Sequence, residues 1–272
     1  MNRQEQQGEN MTKFFAVISA KGGVGKTTTT INLASALAFF GRNVVAIDAD
    51  LTAPNMSIHL GVPNLPRSIH DALEGKVPLS SCLYFHPSGL RIIPGNIAYE
   101  SSKGINLSNF KIILRELEGK AEIVVIDGAP GVSAEAQTII DAADFVLPIT
   151  TPDLAAMSDC RKTIKMAREF NKTIFGIIVN RVRGEDHEID IPNIEAFLEV
   201  PVIGIIPEES NVRAAYQLKA PIIYTHPESP VTNAYRKLAG KIIGEEYSDH
   251  LEQKKVPSLG HEILAGWNII KR

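Results

Sequence analysis

Cysteine and tryptophan are scarce in this 272-residue chain, and long hydrophobic runs are missing. The two cysteines, Cys82 and Cys160, stand far apart with no CxxC or Cys/His spacing. That excludes a zinc ribbon, a local iron–sulfur motif and a disulfide scaffold, and both read as reduced thiols. No stretch of about 18 apolar residues offers a transmembrane helix, and the opening MNRQEQQGEN lacks the apolar centre of a signal peptide. A cytoplasmic location is the expectation. Charge of one sign is also lacking: 28 Lys and Arg against 31 Asp and Glu leave a net charge of −3. Attraction to nucleic acid or anionic lipid therefore needs a local patch rather than the field of the whole molecule.

What is present is a 44% hydrophobic composition arranged as short Val/Ile-rich runs separated by amphipathic stretches. FFAVIS (14–19), NVVAID (43–48), LRIIPG (90–95), EIVVID (122–127), FVLPIT (145–150), TIFGIIVN (173–180) and VIGIIP (202–207) read as strands. Helical spacing covers 28–40, 109–118, 134–142, 155–170, a short segment from Pro192, and 230–246. Strands apolar on both faces, alternating with helices, predict a doubly wound α/β fold: a mostly parallel sheet with helices on both faces. Residues 1–12 read as a polar lead-in without fixed structure, 13–246 as the folded domain, and 247–272 as a linker ending in a short amphipathic segment.

The segment SAKGGVGKTTTT (19–30) lies between a strand and a helix, the setting of a phosphate-binding loop. Gly22, Gly23, Val24 and Gly25 supply backbone N–H groups that converge on phosphate oxygens, and the helix N-terminus at Thr27 and Thr28 adds its dipole. Lys26 brings a cation to the β/γ-phosphates and Thr27 a hydroxyl to Mg²⁺. IDADLTAPN (47–55) places Asp48 and Asp50 at the end of the next strand, where ligands collect in open α/β sheets. EIVVIDGAPG (122–131) adds a hydrophobic strand ending in Asp127, followed by Gly131.

Where GxxxxGK(S/T) has its first glycine this chain has Ala20, followed by a second lysine, Lys21. KGGVGKT resembles the deviant Walker A loop of the MinD/ParA family, and SIHDALEGK (68–76), LRIIPGN (90–96) and ITTPDLAAMSD (149–159) resemble archaeal MinD-like proteins within it. The similarity runs from about residue 13 to 246. It implies a P-loop NTPase of SIMIBI-like type that binds ATP and Mg²⁺ and hydrolyses ATP slowly. It also implies a homodimer in the ATP state, with Lys21 reaching the partner's phosphates. Asp50 corresponds to the residue that positions the attacking water, Asp48 to one supporting the Mg²⁺ shell, and Asp127 to the Walker B acid joined to switch II. Asn180 corresponds to the adenine-recognising asparagine, with Pro207 and Glu208 in the loop beside the base. A protein regulator is expected near the helix carrying Asp159, Arg161, Lys162, Lys165 and Arg168, and Asp159 corresponds to an acid expected near Lys21.

In HEILAGWNIIKR (261–272), Ile263, Leu264, Trp267 and Ile270 share one helical side and Lys271 and Arg272 follow. The position resembles the family's C-terminal membrane-targeting helix, so a membrane surface is an expected partner, with docking on the protein itself as the alternative. Regulation of cell division or another polar machine is the implied role. A ParA-like positioner on nucleic acid, or a cofactor-maturation ATPase, stands as the alternative, and the absence of paired cysteines weighs against the usual form of the latter.

Overall fold

The computed structural model describes residues 11–63, 65–98 and 106–247. The segment 261–272 and residues 1–10 lie outside the described residues. Thr12, placed in the lead-in by sequence, is buried, and its hydroxyl donates to the Ala121 carbonyl at 2.6 Å.

The strands are β1 (Lys13–Ser19), β2 (Val44–Asp48), β3 (Tyr84–Phe85), β4 (Arg91–Ile93), β5 (Ile123–Pro130), β6 (Phe145–Thr150), β7 (Thr173–Ile174), β8 (Ile177–Val182) and β9 (Val202–Pro207). They form one sheet in the order β3-β4-β2-β5-β1-β6-β8-β9, with β7 beside β6. Every pairing is parallel except β3 with β4, so the predicted doubly wound, mostly parallel sheet is present. β1 sits at its centre with Phe14, Ala16 and Ile18 buried in the core on one face and Phe15 and Val17 in the core on the other. This two-sided burial explains why the strand reads as an unbroken apolar run. Each fully buried phenylalanine there contributes about 1.5–3 kcal/mol.

The helices are α1 (Lys26–Phe39), α2 (Met56–His59), α3 (Ile69–Leu73), α4 (Phe110–Leu114), α5 (Ala134–Ala142), α6 (Leu154–Glu169), α7 (Ile191–Leu198), α8 (Ser210–Gln217), α9 (Ile222–Thr225) and α10 (Pro230–Ile243). Two strand expectations change. TIFGIIVN divides into β7 and β8 because Gly176 takes φ +150°, and a Cβ there would stand 2.4 Å from Ile203. LRIIPG shortens to three residues and gains an antiparallel edge partner, β3, that no alternating pattern announces.

Candidate functional site

β1, β2 and β5 point their C-terminal ends to one edge of the sheet, next to the point where the strand order reverses, and Asp48, Asp50 and Asp127 sit there. Leaving β1, the chain is turned by Ser19, whose hydroxyl accepts the Lys21 N–H and donates to the Lys21 carbonyl. The turn continues through Gly23 at φ +78° and Gly25 at φ +97° into α1. Gly25 is the N-cap of α1 and contributes no side-chain cap, which keeps the helix N-terminus open to an anion. Lys26 is 8% exposed and Val24 is buried, while Gly22 and Gly23 face open space.

Register brings Asp48 on β2 directly beside Asp127 on β5. The Asp127 carboxylate accepts the Thr27 hydroxyl at 2.5 Å and the Thr30 hydroxyl at 3.4 Å. Asp48 Oδ2 accepts the N–H groups of Asn55 and Met56, both at 2.9 Å, whereas its Oδ1 is buried without a hydrogen-bond partner. Asp50 Oδ1 accepts the Ala53 N–H at 3.1 Å. Burial raises the pKa of all three carboxyls. Asp127 is pushed up to about 7, with the Thr27 bond and Lys26 acting against the shift; Asp48 rises well above the usual range, helped by Asp127; Asp50 rises less, opposed by its bond to Ala53 and by Lys26. Crowding of buried carboxylates round an unpartnered oxygen suits a cation. Among the described residues no three His, Cys, Asp or Glu side chains gather to hold a metal alone. A Mg²⁺ site here would therefore rely on phosphate, water and a hydroxyl such as that of Thr27, the ligand set this ion prefers.

Beside the loop lies a cavity of about 90 Å³ bordered by Thr28, Asn180, Pro207, Glu208 and Val212. Asn180 Nδ2 donates to the Val24 carbonyl at 2.7 Å, tying the end of β8 to the phosphate loop. The Glu208 N–H donates to the Val182 carbonyl and its carboxylate pairs with Arg181 at 3.7 Å, so the two segments predicted to flank the base are joined.

The CobQ/CobB/MinD/ParA nucleotide binding domain matches residues 15–222. The chain belongs to this family. It is 35% identical to an uncharacterized ATP-binding protein of Methanocaldococcus jannaschii over 88% of this chain and 91% of that protein. Its fold is similar to the septum site-determining protein MinD of Pyrococcus horikoshii complexed with Mg-ADP, with a TM-score of 0.81, 29% identity, and 91% and 100% of the two chains covered. It is also similar to a chain of the MinC:MinD cell division complex of Aquifex aeolicus, with a TM-score of 0.78, 27% identity, and 87% and 97% covered. The MinD/ParA resemblance read from KGGVGKT is thereby shown, and with it a nucleotide-binding fold.

For this MinD/ParA member, Lys26, Thr27, Asp48, Asp50 and Asp127 form one cluster, and Asn180, Pro207 and Glu208 form a second, adjoining it through Gly25 and Thr28. Lys21 stands apart. Its ammonium lies 3.5 Å from Asp153 Oδ1. Asp159 is not its partner; Asp159 pairs with Lys162 at 2.8 Å, one turn along α6, because Asp153 at the helix N-cap is the acid that faces the loop. Burial works against ionisation of Asp153, but the Thr151 hydroxyl, the Ala156 N–H and Lys21 hold its carboxyl below the ordinary range. The α6 cations are likewise engaged: Arg161 stacks over Phe197, Lys165 pairs with Glu169 and Arg168 with Glu199. Such exposed pairs are each worth under about 1 kcal/mol and open readily to a partner. No local sequence pattern points to Thr30, Arg181, His70 or Glu135, each of which meets a segment distant in sequence: Asp127, Glu208 and, for the last two, Leu51.

Proposed function

We propose that this chain is a Mg²⁺-dependent ATPase of MinD type that switches between an ADP-bound monomer and an ATP-bound homodimer. The observation that supports it is the Thr27–Asp127 pair set between the open N-terminus of α1 and the unpartnered oxygen of Asp48. In this reading Thr27, Asp127 and Asp48 would hold Mg²⁺, which would supply positive charge against the β- and γ-phosphates. Lys26 supplies a fixed cation in a largely dry site, and Asp50 orients the attacking water. Thr28 and the Gly22–Gly25 turn bind the phosphates, and Asn180 keeps its carbonyl oxygen for the adenine amino group while Pro207 and Glu208 border the ring. Lys21 leaves Asp153 for the phosphates of the second subunit.

Slow hydrolysis makes the dimer a timed state, suited to positioning a division-related or other polar machine. The groove between α6 and α7, about 450 Å³ and lined by Arg161, Lys162, Lys165 and Leu198, is the surface for a protein regulator, and residues 261–272 are the membrane contact. Light scattering of the Asp50→Ala variant with ATP and with ADP tests the switch, with phosphate release measured beside it. A dimer only with ATP, and release of phosphate reduced by at least about tenfold, is expected. A monomer in both nucleotides, or undiminished release, defeats the proposal. Flotation of the same samples with anionic vesicles, with and without residues 258–272, reports on the membrane contact: equal retention of both forms removes it.

A further inference from the structure

Leu51, immediately after Asp50, is held on both sides. Its N–H donates to Glu135 Oε1, at the start of α5, and its carbonyl accepts from His70 Nε2 at 2.9 Å. His70 Nδ1 accepts the Asn96 N–H at 3.1 Å, so the imidazole is the Nε2–H tautomer and donates to Leu51. The other oxygen of Glu135 accepts the Thr52 hydroxyl at 3.0 Å. On the opposite side of Asp50, the Ala49 N–H donates to the Asp127 carbonyl at 2.9 Å. Asp50 is thus suspended between two anchored peptides, with one carboxylate oxygen taken by Ala53.

We propose that Glu135 and His70 form a clasp on Leu51 that fixes the direction of the Asp50 carboxylate, making Glu135 a positioning residue for hydrolysis. The inference rests on the reading of Asp50 as the group that orients water. Glu135 suits the task because a carboxylate offers an acceptor to each of two donors, the Leu51 amide and the Thr52 hydroxyl. Its place in the chain adds a second link. Glu135 follows the turn at Gly131, whose N–H donates to the Ser19 carbonyl at the root of the phosphate loop, and Ser133 caps its helix. A displacement of that turn would be carried by α5 to the peptide beside Asp50, so the clasp joins the Gly131 turn to the Asp50 segment within one subunit.

Two measurements on the full chain test it: amide hydrogen exchange over residues 49–53 without nucleotide, and kcat and KM for ATP with Mg²⁺. Glu135→Ala is expected to quicken exchange there and lower kcat about tenfold with KM within about twofold, as loss of orientation rather than of binding requires. Glu135→Gln, which keeps one acceptor, is expected to fall between it and the unaltered protein. Thr52→Ala, at an exposed position that does not threaten folding, is expected to lower kcat about two- to threefold on the same grounds. Unchanged exchange at 49–53 in both Glu135 variants overturns the clasp. Faster exchange with undiminished kcat overturns its positioning role. Asp50→Ala assayed alongside separates the two levels: normal turnover there removes the role of Asp50 itself, while exchange still reports whether the clasp exists.

Discussion

Without nucleotide, Asp48 and Asp127 face each other as register partners, both buried, and Asp50 lies close enough to raise the Asp127 pKa further. Asp127→Asn relieves this arrangement, and the relief depends on pH. The Asp127 carboxyl moves from an ordinary value of 3.8 to about 7 on folding, so between those values the folded chain holds a proton that the unfolded chain has lost. Stability therefore falls as pH rises across that interval and levels off above it. At pH 8 the penalty is at most about 4 kcal/mol, and at pH 5 it is less than half of that. The amide has no proton to lose but keeps one acceptor oxygen in place of two, returning about 1–1.5 kcal/mol through the weakened bonds to Thr27 and Thr30. The variant should gain about 2–3 kcal/mol at pH 8, a rise in Tm of roughly 5–10 °C, and close to nothing at pH 5. Thermal denaturation followed by circular dichroism, nucleotide-free and in chelator, measures both. An equal shift at the two pH values, or a loss at pH 8, refutes the reasoning. With Mg²⁺ and ADP present the order should reverse, since the metal favours the ionised carboxylate.

Gly25→Ala should reduce nucleotide affinity by at least about tenfold in calorimetry, because the residue sits at φ +97° and its Cβ would stand 2.3 Å from Asn180 Nδ2; unaltered affinity in a folded variant dismisses the Asn180 strut. Lys21→Ala should bind nucleotide yet remain monomeric with ATP, since the lysine touches Asp153 in its own subunit and its proposed target is on the other; an ATP-dependent dimer of this variant removes the cross-subunit role.

The parallel sheet was legible because its strands are buried on both faces and therefore appear as unbroken Val/Ile runs, and the phosphate loop was legible because its backbone conformation demands glycine where Gly23 and Gly25 stand. The acids were legible at one remove: Asp48 and Asp127 each end a strand, and strand order then makes them neighbours. Less was readable where an element is short or a contact is distant. α2, α3, α8 and α9 span four to eight residues, too few turns for apolar periodicity to show. His70 and Glu135 lie 19 and 84 residues from the peptide they hold, a separation that only the folded sheet closes. Lys21 pairs with Asp153 rather than with Asp159, because resemblance locates a helix more firmly than the turn of that helix facing a given side chain.

The Lys21–Asp153 pair has a consequence for how a bound nucleotide can reach α6. Asp153 caps that helix by accepting the Ala156 N–H at 2.9 Å and the Thr151 hydroxyl at 2.5 Å, so withdrawal of Lys21 leaves the cap itself in place. What changes is charge: a carboxylate held by a cation becomes a carboxylate with hydrogen bonds alone, at the end of the helix whose outer face carries Arg161, Lys162, Lys165 and Arg168. The pair is half exposed, and its rupture costs under about 1 kcal/mol, a small barrier beside the attraction of an ammonium for a triphosphate in a drier interface. In the proposed switch Lys21 would exchange partners without disturbing the fold, and in doing so would alter the electrostatic setting of α6 while the helix stays intact. A regulator that reads α6 would then sense nucleotide state through the charge at the N-terminus of α6 rather than through unfolding or rotation of α6.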